Sequence, residues 1–202
     1  MSLGFAKKIG MTRIFVDGKS VPVTALEFGK NYVLQRKTED KEGYNSIQIA
    51  SVKKSRGTKP IKQHVKKYID LETEFQHISE FRDVTFPEGK KVIDINDFTQ
   101  DDVLDITGIV LGRGFAGVVK RHGFHGQPAS HGHDHERAPG SIGSRWPQRV
   151  VKGRKMAGRM GGNTITLKKV KIIAIDNENN LIFVRGSLPG SNSSYLKLKK
   201  VN

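Results

Sequence analysis

Apolar and polar residues alternate along several short stretches of the chain, with turn residues between them. Gly4 to Phe15 and Ser20 to Phe28 predict two strands joined by a tight turn at Asp17-Gly18. In the second, Val21, Val23 and Ala25 alternate against Thr24 and Glu27, the pattern of a half-buried strand. Tyr32 to Arg36 and Ser46 to Val52 predict two more, the latter with Ile47 and Ile49 on one face. Val103 to Leu111 puts Leu104, Ile106 and Val110 on one side. Lys171 to Ile175 and Leu181 to Val184 flank the turn-rich Asn177-Glu178-Asn179-Asn180, and Tyr195 to Val201 is placed to close the sheet. One helix interrupts: Ile61, Val65, Tyr68 and Ile69 fall at helical spacing, with Pro60 suited to a first turn. Short strands, frequent turns and few helices predict a mainly β body, a barrel or sandwich, with a small α+β insertion over 59–97. Neither an internal repeat nor a coiled-coil heptad is found.

From Lys120 to Gly162 the alternation stops. The stretch is rich in glycine, holds Pro128, Pro139 and Pro147, and has few large apolar side chains, at neither strand nor helix period. A segment of that length without periodicity is a functional loop or a disordered one. It cannot bury enough apolar surface to offset its own ordering entropy, so its shape must come from its surroundings.

Charge sharpens this division. The 202 residues carry 35 Lys and Arg against 20 Asp and Glu, a net charge of +15 and a pI near 10.0. Residues 1–69 are net +10, 70–111 net −8, 112–169 net +10 and 170–202 net +3. Such a bias points to a polyanionic partner, with one acidic block that phosphate would repel. No run approaches the roughly 18 apolar residues of a membrane span, nor is there a signal-peptide apolar core at the start. Without cysteine the chain has no disulfide, thiolate metal site or cysteine nucleophile.

Two motifs invite catalytic readings. Gly112-Arg113-Gly114-Phe115-Ala116-Gly117 matches G-x-G-x-x-G, but a dinucleotide site needs a full helix opening at these glycines and a parallel strand after it. Val118 to His122 gives little more than one turn before Gly123, so the glycines are expected to permit tight turns and close approach to phosphates. His131-Gly132-His133-Asp134-His135 places alternate histidines where an extended chain would turn them to one side, as zinc ligands do. The hydrolase-like pattern would need one more residue before the aspartate, and the competing reading puts His122, His125 and this cluster on nucleic acid. Met156 and Met160 fit a close-packed turn before Gly161-Gly162 better than a helix face, and Trp146 lies where the local sequence offers no core, which favours stacking on a base. No Ser-His-Asp order, carboxylate pair or Walker loop is present.

The run Gly112-Arg113-Gly114-Phe115-Ala116-Gly117-Val118-Val119-Lys120-Arg121-His122-Gly123-Phe124 resembles the signature of the third protein of the large ribosomal subunit, in its bacterial form. Lys8 to Phe15, Ser130-His131-Gly132, Arg137 to Gly143, Lys155 to Gly161 and Leu188-Pro189-Gly190 resemble that family in the same order, from end to end of the chain. The resemblance implies a closed six-stranded translation-protein-type β-barrel carrying a long irregular extension. The barrel is expected over 1–58, 98–119 and 164–202, the acidic α+β insertion over 59–97, and a basic, RNA-penetrating loop over 120–163 with its tip around Ser144 to Arg149. It also implies a structural constituent of the large subunit that binds 23S ribosomal RNA early in assembly. Neighbouring ribosomal proteins would be further partners, and the extension would reach toward the peptidyl transferase centre of the cytoplasmic ribosome. The family's Thr-Pro-Gly near the tip, preceded in some members by a methylated glutamine, is absent from Ser144-Arg145-Trp146-Pro147-Gln148-Arg149, so that modification is not carried over.

The residues expected on RNA are Lys53, Lys54 and Arg56 in the body, and Arg113, Lys120, Arg121, His122, His125, His131, Arg137, Arg145, Trp146, Arg149, Lys152, Arg154, Lys155 and Arg159 in and around the extension. No enzyme activity, cofactor, metal, membrane or small-molecule substrate is expected. The alternative is a metal-dependent nucleic-acid enzyme using His131, His133 and His135.

Overall fold

A computed structural model describes residues 2–52, 58–69, 75–82, 84, 87 and 89–201. In chain order the strands are β1 (Leu3–Val16), β2 (Lys19–Glu27), β3 (Asn31–Lys37), β4 (Ser46–Val52), β5 (Phe75–Arg82), β6 (Val92–Ile93), β7 (Val103–Ile109), β8 (Phe115–Ala116), β9 (Gly158–Arg159), β10 (Thr164–Asp176), β11 (Leu181–Arg185) and β12 (Tyr195–Lys200). Among the described residues three short α-helices join them, α1 (Glu39–Glu42), α2 (Lys59–Lys66) and α3 (Val118–His122), with a single 3-10 turn at Ile95–Asp97. The protein is mainly β, as its alternation predicts. Among the described residues no helix is long and apolar enough to cross a membrane. The chain forms two compact units, Met1–Gly108 with Thr164–Asn202, and Ile109–Asn163.

In the first unit six strands follow one another in a ring, β1-β12-β7-β10-β11-β2, with β2 back against β1. The β1–β2 hairpin turns at Asp17 and Gly18, whose φ values of 50° and 74° suit the right-handed twist of the flanking strands. The pairing runs Thr12 to Val23 and Phe15 to Ser20. At the second hairpin, Asp176 accepts the backbone N–H groups of Glu178 and Asn179, a side-chain turn that closes β10 onto β11. Gly108 is required by contact: a Cβ there would lie 2.4 Å from Cδ2 of Leu196 and 2.9 Å from Cγ of Pro189.

Both edges of β2 are occupied, by β1 and β11, so the next strand cannot join the ring. This corrects the expectation that 1–58 is one continuous piece of it. β3 and β4 pair with β5 and β6 in a separate antiparallel sheet of order β5-β4-β3-β6, so the second layer begins at Asn31 and takes in much of what lies before residue 59. The faces of β2 also differ from the alternation: Val23, Thr24 and Leu26 are fully buried while Val21 and Ala25 are half-buried. Thr24 is accommodated because its hydroxyl donates to the Gly186 carbonyl at 2.6 Å.

Ring and sheet share one core. Leu3, Leu26, Leu104, Ile106, Ile172, Ile182, Leu196 and Leu198 from the ring pack with Val33, Ile47, Ile49, Phe81 and Ile93 from the sheet. The sheet's other face carries α2, whose Val65 is buried with Leu34, Ala50 and Phe75 while Ile61 and Ile69 pack at the edge. The helix ends a turn sooner than its apolar spacing suggests, and the N–H groups of Tyr68 and Ile69 both reach the Val65 carbonyl instead. The buried Asn31 acts as a piece of backbone: its Oδ1 accepts from Phe5 N–H at 2.9 Å, and its Nδ2 donates to the carbonyls of Phe5 and Gly29. Lys8, also buried, donates to the carbonyls of Leu188 and Gly190 and so holds the Leu188-Pro189-Gly190 turn.

Among the described residues, four carboxylates of the acidic block form ion pairs inside this unit. Glu80 pairs with Lys37 at 2.5 Å, Asp101 with Lys171 at 2.9 Å, Asp102 with Lys200 at 2.7 Å, and Asp97 with Lys90. The Lys37 hydrogen bond, helped by the Tyr44 hydroxyl, holds the Glu80 carboxyl below its ordinary value, and the same bond raises the Lys37 amine. Burial pushes Asp102 upward, but hydrogen bonds from Lys200 and Thr99 outweigh it and the carboxyl is lowered. Half-buried Lys197 donates to the Ser79 hydroxyl and the Glu80 carbonyl, and burial lowers its amine.

Candidate nucleic-acid interface

Residues 109–163 form the second unit, and its local order begins where the chain doubles back. Val110 donates to the Asn163 carbonyl and Gly162 donates to the Val110 carbonyl; Arg113 donates to Met160 at 2.8 Å and Met160 to Gly114 at 2.9 Å. The short strands β8 and β9 continue this ribbon, with Phe115 opposite Arg159 and Ala116 opposite Gly158. The unit therefore begins at Ile109 rather than at the expected Lys120. Gly161 has to be glycine, because its φ is +73° and a Cβ would stand 2.0 Å from the Leu111 carbonyl oxygen.

The G-x-G-x-x-G run lies in and beside this ribbon. Gly117 opens α3, which ends after five residues at Gly123 in the left-handed conformation, and the strand beside the glycines is antiparallel. That is not the βαβ geometry of a dinucleotide loop. Two predicted RNA residues also serve the unit itself: Arg121 Nη1 donates to the Met156 carbonyl at 2.7 Å, and His122, with its proton on Nε2, donates to the same oxygen at 3.0 Å. Met156 and Met160 are half-buried and act through their backbones, in keeping with a close-packed turn rather than a helix face.

Beyond the ribbon, 123–157 contains neither helix nor strand, only irregular backbone, bends and turns. Gln127 donates to the Glu136 carbonyl, Arg154 Nη2 to the Ser141 carbonyl at 2.6 Å, and the Ser144 hydroxyl to the Trp146 carbonyl. A cleft of about 370 Å³ is lined by His122, Phe124, His125, Gln127 and Lys155 among others. Arg113, Lys120, His125, His131, Arg137, Arg145, Arg149, Lys152, Arg154, Lys155 and Arg159 are all exposed, whereas Arg121 and His122 are half-buried. Trp146 is 71% exposed, so it is not a core residue. Lys53, Lys54 and Arg56 lie outside the described residues.

The ten lysines and arginines of 109–163 face only two carboxylates, Asp134 and Glu136. Among the described residues none of these cations forms an ion pair, whereas the first unit contains several. An array of unopposed cations on irregular backbone can neutralise closely spaced phosphates, with arginine adding bidentate and stacking contacts.

The histidine cluster does not keep the geometry its spacing suggested. His131 has φ of 71° and Gly132 of 77°, so this chain segment bends instead of extending. The His133 and His135 rings stand nearly perpendicular with centroids 6.3 Å apart, and His133 Nδ1 accepts the His135 backbone N–H. Among the described residues no three His, Asp or Glu side chains gather as metal ligands.

Sequence reasoning missed the pairing of 110–116 with 158–163, because two-residue strands carry no readable alternation. The close glycines on both sides, Gly112 to Gly117 and Gly158 to Gly162, were its only signal.

Residues 27–180 match the family model of ribosomal protein L3. Among curated relatives, the large ribosomal subunit protein uL3 of Syntrophus aciditrophicus is 42% identical, covering 96% of this chain and 91% of its own. Those of Desulfitobacterium hafniense and Carboxydothermus hydrogenoformans are 41% and 39% identical, each covering 96% of this chain and 92% and 94% of their own. With three-quarters of the sequence inside the family model and full-length relatives at this identity, the chain belongs to the ribosomal protein L3 family, whose members are structural components of the ribosome and not enzymes.

Proposed function

We propose that this protein is a structural constituent of the bacterial large ribosomal subunit in the cytoplasm, where it binds 23S ribosomal RNA and touches neighbouring ribosomal proteins. The six-stranded ring serves as a closed barrel of the translation-protein type that docks on the RNA surface. Residues 120–163 act as an extension that threads between RNA helices, with the tip at Ser144 to Arg149 directed toward the peptidyl transferase centre. Binding comes early in assembly, when the RNA that surrounds the extension can still close around it.

The observation that carries this reading is the excess of exposed cations without ion pairs in 109–163. Arg113, Lys120, Arg137, Arg145, Arg149, Lys152, Arg154, Lys155 and Arg159 supply phosphate contacts, His125 and His131 donate or stack, and Trp146 stacks on a base. Arg121 and His122 contribute while holding the Met156 turn. Lys53, Lys54 and Arg56 add contacts from the body.

If about eight phosphates are neutralised, log affinity for protein-free 23S RNA falls against log salt with a slope of roughly −6 to −7. A filter-binding or fluorescence titration from low to moderate salt measures it. A slope near zero contradicts the reading.

A further inference from the structure

Phe115 is the most exposed large apolar side chain among the described residues, at 80%. An exposed phenylalanine alone says little, since folded proteins scatter apolar atoms over their surfaces. This one is held in place. Its strand pairs with β9, and just before it the Arg113–Met160 and Met160–Gly114 backbone bonds pin the same ribbon. The alternation then leaves the ring no inward option: Ala116 and Val118 are buried at 4% and 2%, so Phe115 points the other way.

The surroundings are cationic. Arg159 sits directly across the ribbon and Arg113 two residues earlier, both exposed and, among the described residues, without a carboxylate partner. The Arg159 guanidinium lies back over Gly162, where a Cβ would come within 2.9 Å of Nη2. Among the described residues neither a ring nor a cation covers the Phe115 face. Phe15, exposed at 67% on the β1–β2 hairpin, differs in having the Arg13 guanidinium 5.9 Å from its ring centroid.

We infer that Phe115 is a stacking platform for one unpaired base of the ribosomal RNA, with Arg113 and Arg159 taking the phosphates on either side of it. A rigid, uncovered π-face on a ribbon that also carries two exposed arginines matches the alternation of base and phosphate along a single strand. A base inside a duplex has no free face to offer, so the partner is a looped-out or single-stranded nucleotide. The inference rests on the RNA-binding reading and adds a base-contacting residue to it.

The test uses the full-length protein and protein-free 23S RNA transcribed in vitro. Phe115→Ala weakens binding by about 5- to 100-fold, Phe115→Leu does nearly the same, and Phe115→Trp restores affinity. All three melt like the parent protein, since the ring supports no core. Ultraviolet crosslinking followed by mass spectrometry finds a nucleotide adduct on Phe115. Unchanged binding by Phe115→Ala while the parent keeps its steep salt slope overturns this inference and leaves the RNA reading standing. Full affinity in Phe115→Leu overturns it too, because an apolar contact would then suffice. Normal binding to naked RNA with loss from assembled particles assigns the ring to a protein neighbour and also overturns it. A parent protein without salt-dependent binding sinks both readings.

Discussion

In the unit built from residues 2–108 and 164–201, several of the described cations meet a partner within the fold. Lys37 is clasped by Glu80 and Tyr44, Lys200 by Asp102, and buried Lys8 by two carbonyls. In the unit of 109–163, most arginines and lysines are exposed on short or irregular elements, and the described ones form no ion pair. The large apolar side chains show a related contrast: Leu104, Ile106, Leu196 and Leu198 in the first unit are fully enclosed, while Phe115 and Trp146 in the second are the two most exposed among the described residues. The first unit is a fold complete in itself, stabilised by burial and internal pairing. The second keeps its charges and rings available for something outside the chain.

The largest effect that would break this contrast is a cavity in the shared core. Leu198→Ala removes a fully buried side chain where ring and sheet meet and should cost about 3 kcal/mol of stability, read by chemical denaturation. A cost below about 1 kcal/mol would mean the first unit does not depend on that core.

Next comes the joint substitution Arg145→Gln, Arg149→Gln and Lys152→Gln. It should flatten the salt slope for 23S RNA by about 2 to 3 and leave stability within about 0.5 kcal/mol. A clear fall in melting temperature without a change in slope would show these cations to be structural.

The smallest effect concerns acid. Glu80, Asp102 and Asp176 are lowered from ordinary values of 4.5, 3.8 and 3.8, Glu80 chiefly by Lys37, Asp102 by Lys200 and Thr99 against burial, and Asp176 by Asn179. A carboxyl lowered in the folded state adds stability that is complete above its unfolded value and is lost as pH falls through the folded one. Melting temperature should therefore hold steady down to about pH 5 and decline below it, with Glu80→Gln making the decline shallower. A melting temperature indifferent to pH between about 5 and 2.5 would remove these pairs from the account of the first unit.

Much of the first unit was legible because its strands are long enough to show alternation. β1, β2, β7, β11 and β12 all fall within a few residues of their predicted positions, whereas β10 begins at Thr164, seven residues before the predicted Lys171. The sheet of β3 to β6 was not, since nothing in the pattern of Tyr32 to Arg36 or Ser46 to Val52 says which strand each will join. In the second unit, the lack of periodicity and the basic excess marked the candidate interface. The turn of Arg121 and His122 onto the Met156 carbonyl, and the bend at His131, depend on backbone angles that composition does not reveal.

Local pattern and charge settled by themselves that this protein is a mainly β body with a long, basic, unperiodic segment, because alternation and net charge are properties of neighbouring residues. Only the tertiary structure decided that Glu80, Asp101 and Asp102 of the acidic block pair with lysines from other parts of the same unit, and that Phe115 is turned outward on a braced ribbon. Both depend on which distant backbones come together, and that follows from the edges and faces each strand has left to satisfy.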